Sequence, residues 1–306
     1  MSDWDVIIVG GGPAGLTAGL YLSRARMRTL LIEEESFGGK IKNLDMIENY
    51  PGFSGGIAGA KLANEMQNQA KEFGLTLQYG KVTSLELYSG SKCVICSDGK
   101  SYTTTSLVIT GGSKPKKLGV PGEKEFYGKG VFTCAFCDGS HFTNQTVVVC
   151  GGGDAGITEA LYMTKIASKV ILVEAMPSLT ASAILQERAK ANSKLEILCG
   201  KKVAAITGNG HVEAIECIDV SDSSKTIIPA NGILVHIGLI ASTDYLDGII
   251  PLDKKGQIIV NDKMETEIPF ILAAGDIRSG SPGQIATAVG DGTQSAISVL
   301  RQLQSR

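Results

Sequence analysis

Residues 5–35 read DVIIVGGGPAGLTAGLYLSRARMRTLLIEEE. Asp5–Val9 is an apolar run of strand type, and Gly10, Gly12 and Gly15 follow it in G-x-G-x-x-G spacing. The pattern then predicts a helix from Pro13 to about Ala25 and a second strand, Thr29–Ile32, ending in Glu33. Glycines at these places allow a tight turn and a close approach of the backbone to a pyrophosphate, while the helix N-terminus attracts phosphate charge. A carboxylate at the end of the second strand suits a ribose diol. The full strand, turn, helix and strand context makes this a dinucleotide site rather than a chance match.

The same pattern returns at residues 145–176, QTVVVCGGGDAGITEALYMTKIASKVILVEAM, with Gly151, Gly153 and Gly156 after a strand and Glu174 closing the next one. One offset of 141 residues separates Gly12 from Gly153 and Glu33 from Glu174. A repeated βαβ unit means two dinucleotide-binding domains in one chain. Two such sites suggest two cofactors, most simply a flavin and a nicotinamide exchanging a hydride. Strand segments follow at Leu195–Cys199, Lys202–Thr207, Val212–Asp219 and Thr226–Pro229. Residues 266–303, TEIPFILAAGDIRSGSPGQIATAVGDGTQSAISVLRQL, then give a strand, Phe270–Ala274, that ends in Gly275-Asp276, and a closing amphipathic helix. An aspartate beside glycine at a strand's carboxyl end suits ribitol or ribose in a doubly wound sheet. The expected fold is therefore α/β, with two Rossmann-like FAD/NAD(P)-binding domains, the second inserted into the first. Residues 1–114 and 245–306 form the outer domain, and 115–244 the inserted one.

Directly before the second glycine turn stands TCAFCDGSHF, residues 133–142. Cys134 and Cys137 precede a stretch of turn and cap formers, and turn geometry brings positions three apart onto one side, within disulfide reach. Zinc needs two further ligands. Cys150, Cys199, Cys217 and the scattered His141, His211 and His236 form no second pair, so no metal is expected and the histidines read as structural. A redox dithiol is the favoured reading, with Asp138 as its proton handler; Asp138 as a plain turn or cap residue is the alternative. Phe136 has two readings, packing on a flavin or facing a protein substrate. Cys93 and Cys96, in KCVICSDGK, repeat the spacing within a strand. Alternate residues of a strand face opposite ways, so this pair reads as two packing cysteines.

The bulk composition adds exclusions. A net charge of −2 over 306 residues gives no reason to expect nucleic acid or an anionic membrane as partner. The longest uncharged run, Val6–Ser23, is broken by glycines and a proline, against a membrane span. MSDWDVIIVG enters a strand with no basic region or cleavage site, so the cytoplasm is the expected compartment. Seven cysteines in a chain of this length argue against a disulfide scaffold.

With these motifs in place the chain resembles the low-molecular-weight thioredoxin reductase family over essentially its whole length. The segments that carry the resemblance are GGGPAG, FGGK, ENYPGF, ITGGSKPKKLGVPGE, CAFCDG, GGGDAG, GILVHIGLIAST and AAGDI followed by GQIATAVGDG. It implies a homodimeric FAD enzyme that reduces the disulfide of thioredoxin or a thioredoxin-like protein. Cys137, beside Asp138, would lie against the flavin, and Cys134 would exchange with the protein disulfide. Gly10, Gly12, Pro13, Ala14, Gly15, Glu33, Gly39, Lys40, Asn49, Val82, Gly112, Gly275, Asp276, Gln284 and Ile285 would hold FAD. Gly151, Gly153, Asp154, Ala155, Gly156 and Glu174 would hold the second nucleotide. The family also turns one domain against the other, which places hinges here near Gly112–Lys117 and Ser242–Leu246.

Three departures matter. NADPH-using members carry His-Arg-Arg at the end of the inserted domain's second strand, and these cations pair with the 2′-phosphate. This chain has Glu174-Ala175-Met176, Thr180, and no arginine between Lys165 and Arg188. A carboxylate repels a phosphate and suits a ribose hydroxyl, so NADH is the expected donor and NADPH is disfavoured. Reduced ferredoxin, a deazaflavin or a second flavin are alternative donors, and an NADH:acceptor flavin reductase is the alternative enzyme. Lys40 stands where glutamine is usual, and Gly283 where an arginine precedes Gln284.

Overall fold

The computed structural model describes residues 3–246 and 248–304. The chain forms two compact units, one made of residues up to Lys114 and from Ile240 onward, the other of Pro115–Leu239. The first runs β1 (Trp4–Val9), α1 (Pro13–Arg24), β2 (Thr29–Glu33), α2 (Gly59–Glu72), β3 (Thr76–Tyr79), β4 (Val82–Tyr88), β5 (Ser91–Cys96) and β6 (Ser101–Ile109). After β7 (Ser113–Pro115) comes the second unit. It runs β8 (Val131–Phe132), α3 (Ala135–Asp138), β9 (Thr146–Cys150), α4 (Asp154–Met163), β10 (Lys169–Glu174), α5 (Ala183–Ala191) and β11 (Leu195–Cys199). It ends with β12 (Lys201–Gly208), β13 (Val212–Asp219), β14 (Lys225–Pro229) and β15 (Gly232–Val235). The chain returns through β16 (Leu239–Ala241) to β17 (Ile271–Ala273) and α6 (Ile285–Gln304), which complete the first unit.

The first unit's sheet has the order β3-β2-β1-β6-β5-β4, with β17 also paired to β6. Strands β3, β2, β1, β6 and β17 are parallel, while β4, β5 and β6 form an antiparallel meander. The second unit has a parallel sheet, β11-β10-β9-β15-β8, and a separate antiparallel one, β12-β13-β14.

The sequence repeat is a repeat of register. Val6 pairs with Thr29 and Val9 with Ile32; Val147 pairs with Val170 and Cys150 with Val173. The faces repeat too. Val6 and Ile8 pack with Leu16 and Leu22 of α1, whereas Ile7 and Val9 pack with Leu85 and Val94 of the meander. In the second unit Val147 and Val149 meet Ile157 and Met163 of α4, whereas Val148 and Cys150 meet Val203 and Ile215 of the small sheet. Strands buried on both faces have no polar positions to alternate with, which is why both read as continuous apolar runs. Each such fully buried side chain contributes about 1.5–3 kcal/mol relative to exposure.

Most boundaries shift by a residue at most, and two differences from the sequence reading have a visible cause. The strand expected at Phe270–Ala274 is Ile271–Ala273, because Phe270 has φ +64° and leaves the extended region. Ala274 still donates its N–H to the Ile109 carbonyl. The second crossing between the units lies at Leu239–Ile240, where the sequence suggests 244–245, because Ala241 and Leu246 are buried in the core beneath β1.

α6 carries one buried acid, Asp291. Its Oδ2 accepts from Gly275 N (3.1 Å) and Arg278 Nε (2.6 Å), and its Oδ1 from Arg278 Nη2 (2.9 Å). Removing one partner of a buried pair strands the other charge and costs about 3–5 kcal/mol. Asp291→Ala is therefore expected to lower the unfolding free energy measured in urea by that order, and an unchanged midpoint would show the pair to be dispensable.

Candidate functional site

In the first unit the turn after β1 is shaped by backbone contact. Gly10 has φ +108°, and a Cβ on Gly15 would lie 2.0 Å from the Gly10 carbonyl oxygen, so α1 can approach the strand only if both are glycine. Pro13 occupies the first helical position, and no side chain caps α1 at Gly12. A Cβ on Gly12 would meet nothing within 4 Å. The start of the helix is thus uncapped and open beside Gly12, which fits a pyrophosphate. Glu33 holds the turn from the side: its Oε2 accepts from Gly11 N (2.6 Å) and its Oε1 from Glu35 N (2.8 Å).

Most of the other expected flavin contacts gather around this turn. Gly38 N donates to the Gly11 carbonyl (2.7 Å), which seats Gly39 beside Gly12. A Cβ on Gly275 would lie 3.0 Å from that of Ala14. Lys40 Nζ reaches Ser113 Oγ (2.7 Å) and Asp276 Oδ2 (3.1 Å), a bridge that the sequence did not reveal. Asn49 Nδ2 donates to Gln284 Oε1 (3.1 Å), one residue before Ile285 opens α6. Gly112 follows β6 and accepts from Ser242 N (3.1 Å). Val82 is set apart: it opens β4, half-buried against the first unit's core.

The second unit builds the same turn. Gly151 has φ +113°, a Cβ on Gly156 would lie 2.0 Å from the Gly151 carbonyl oxygen, and no side chain caps α4 at Gly153. Glu174 repeats Glu33, its Oε2 accepting from Gly152 N (2.5 Å) and its Oε1 from Met176 N (2.8 Å). Asp154 and Ala155 are exposed at the start of α4, and Asp154 Oδ1 accepts from Ser182 N (2.7 Å).

Cys134 and Cys137 are joined in a disulfide, with Cα atoms 5.4 Å apart. Cys134 precedes α3 in an extended conformation, and its Sγ accepts from Cys137 N (3.1 Å). Asp138 N donates to the Cys134 carbonyl (3.1 Å), and Asp138's own carbonyl lies 3.1 Å from His141 Nδ1. Cys137 and Phe136 are exposed and Cys134 is half-buried. Phe136 sits 6.0 Å from the Tyr162 ring. The turn is tied to the glycine-turn helix of its unit by Glu159 of α4, whose Oε2 accepts from Ala135 N (2.7 Å).

The remaining cysteines differ in kind. Cys93, Cys96, Cys150 and Cys217 are free and buried, and Cys199 is free and half-buried. Burial pushes all five thiols up, Cys217 to about 11 and Cys150 further. A raised thiol pKa leaves little thiolate near neutrality, which sets these thiols apart from a reactive pair. Cys93 and Cys96 lie on β5 without bonding each other. Among the described residues, no helix is long and apolar enough to cross a membrane.

Comparison with known proteins identifies the family and the fold. The profile of the pyridine nucleotide-disulphide oxidoreductase family matches residues 4–292. The chain is 41% identical to the thioredoxin reductase of Bacillus subtilis (strain 168), over 98% of this chain and 95% of that one. Among solved structures it superimposes on Lactococcus lactis thioredoxin reductase in its FR conformation with a TM-score of 0.97 and 36% identity, covering 99% of this chain and 100% of that one. For the thioredoxin reductase of T. acidophilum the TM-score is 0.94 at 31% identity, covering 100% and 99%.

Alkylation separates the two kinds of cysteine. After mild reduction at neutral pH, iodoacetamide is expected to label Cys134 or Cys137 in the folded protein and to leave Cys93, Cys96, Cys150 and Cys217 unlabelled. Mass spectrometry of the peptides reads this directly. Labelling at Cys150 without unfolding would contradict the assignment.

Proposed function

Since this chain belongs to the pyridine nucleotide-disulphide oxidoreductase family, as an FAD-dependent disulfide oxidoreductase of the low-molecular-weight thioredoxin reductase type, we propose that it carries electrons from NADH to the disulfide of thioredoxin or a thioredoxin-like protein. The residues around the first glycine turn fit FAD: the uncapped start of α1 for the pyrophosphate and the Glu33 carboxylate for the ribose. Lys40, Ser113 and Asp276 form a polar group suited to ribitol or flavin oxygens. Bound there, FAD supplies the two-electron chemistry that joins a hydride donor to a disulfide.

The dithiol's own geometry supports a division of roles. The Cys137 N–H pointing at Cys134 Sγ stabilises a thiolate on Cys134 once the pair is reduced, which favours Cys134 as the nucleophile. That thiolate attacks one sulfur of the acceptor disulfide, forming a mixed disulfide and releasing the other acceptor sulfur as a thiolate. Cys137 then attacks Cys134 Sγ, the Cys134–Cys137 bond re-forms, and the second acceptor sulfur leaves. One electron pair passes to the acceptor, and Asp138, next to Cys137 in the chain, is placed to give and take the protons.

The choice of donor rests on one observation, the repetition at Glu174 of the contacts made by Glu33. A carboxylate fixed by two main-chain N–H groups at the end of β10 presents its remaining lone pairs to a ribose diol. A 2′-phosphate in the same place would meet like charge, at a cost of about 4 kcal/mol for unit charges 4 Å apart near a protein surface. Both conclusions can be checked in one anaerobic titration followed by flavin absorbance. NADH is expected to bleach the flavin at concentrations about 100-fold below NADPH, with Glu174→Ala narrowing the gap by about tenfold. Equal potency of the two nucleotides in the wild type would remove the role given to Glu174, and bleaching by reduced ferredoxin alone would replace the donor. Cys134→Ser should still bleach with NADH yet fail to reduce thioredoxin; retained thioredoxin reduction would refute the dithiol route.

A further inference from the structure

Glu159 and His236 have no part in the chemistry above, yet both are nearly buried beside the reactive turn, their side chains 12% and 18% exposed. Glu159 reaches up from α4 and accepts the N–H of Ala135, the residue after Cys134, at 2.7 Å. His236 follows β15, where its main-chain N–H is held by the Cys150 carbonyl at 2.8 Å. Its Nε2 lies 3.1 Å from the carbonyl of Thr133, the residue before Cys134. A carbonyl can only accept, so Nε2 carries the proton. The same nitrogen is 4.0 Å from Glu159 Oε2, so the two side chains face each other beneath the turn.

We propose that Glu159 and His236 are a positioning pair for the dithiol, fixing the backbone on both sides of Cys134 and thereby setting the thiol–disulfide equilibrium of Cys134 and Cys137. The inference rests on the reading of this couple as the redox centre. Cys134 has φ −143° and ψ 108°, an extended residue directly before the helical turn of α3. This is the point about which the turn would open. With the Thr133 carbonyl and the Ala135 N–H both held, that pivot is closed.

Reduction breaks the S–S bond, takes up two electrons and two protons, and lets the sulfur atoms part. A pinned turn keeps one thiol within reach of the other, and this high effective concentration favours the disulfide. The pair also carries a cost. Burial pushes the Glu159 carboxyl up, and the hydrogen bond from Ala135 only partly draws it back. A half-compensated buried carboxylate destabilises a fold unless its hydrogen bond is retained. The hydrogen bond that offsets this cost is the one holding the cysteine turn.

The test is equilibration of the flavin-loaded full chain with mixtures of reduced and oxidised dithiothreitol, followed by acid quench, alkylation and quantification of the 133–142 peptide. Glu159→Ala and His236→Phe are expected to shift the equilibrium toward the dithiol by about tenfold, which is about 30 mV. Glu159→Gln keeps an acceptor and His236→Gln keeps a donor, so each should stay within about threefold of the wild type. Thermal melts of the same variants control for simple structural damage. Lowered melting temperatures with an unmoved equilibrium in both Glu159→Ala and His236→Phe would overturn the proposal. So would a Glu159→Gln shift as large as that of Glu159→Ala, because charge rather than the hydrogen bond would then be acting. A wild-type couple that does not exchange with dithiothreitol at all would instead refute the redox reading itself, and this inference with it.

Discussion

A carboxylate gripping a glycine turn by its main-chain N–H is the interaction on which both units are built. Glu33 holds Gly11 and Glu174 holds Gly152, each with its second oxygen on the residue two places further along. The grip ties the end of one strand to the turn after its neighbour, so that the uncapped helix start and the acid are presented together. Such a site matches a nucleotide's pyrophosphate and ribose at once.

The dithiol turn depends on the second of these frames. α4 begins at the glycine turn and, little more than one helical turn later, offers Glu159 to the backbone between the cysteines. The second glycine turn and the sulfur couple thus share one short helix. The five other cysteines show the contrast. They are apolar packing groups whose thiols are pushed up by burial, whereas Cys134 and Cys137 sit in a partly exposed turn with a backbone N–H aimed at sulfur.

Much of this was legible in the chain. The offset between the two glycine patterns carried over to strand register and to which residues face the helices, because side-chain alternation in a strand leaves no freedom once the register is set. The disulfide and the two acids were likewise readable, since spacing and strand ends specify them locally. The parts that escaped are contacts between distant segments. Thr133 and His236 are 103 residues apart, and nothing around His236 marks it as a partner of the cysteine turn. β15 brings it there by pairing with β8, the strand that ends one residue before Thr133. Asp291 looks like one polar residue on an amphipathic helix until Arg278 and Gly275 meet it. Phe270 delays the start of a strand through a left-handed backbone that no propensity rule assigns to phenylalanine.

The claim beneath all of this is that reducing equivalents pass from a flavin on the first unit's glycine turn to the sulfur pair of the second. Anaerobic reductive titration of the flavin-loaded chain, counting electron pairs taken up per chain, tests it most directly. The account predicts two pairs for the wild type, one for the flavin and one for the disulfide, and a single pair for Cys137→Ser. Uptake of one pair by the wild type, with Cys134 and Cys137 still joined at the end point, would contradict it.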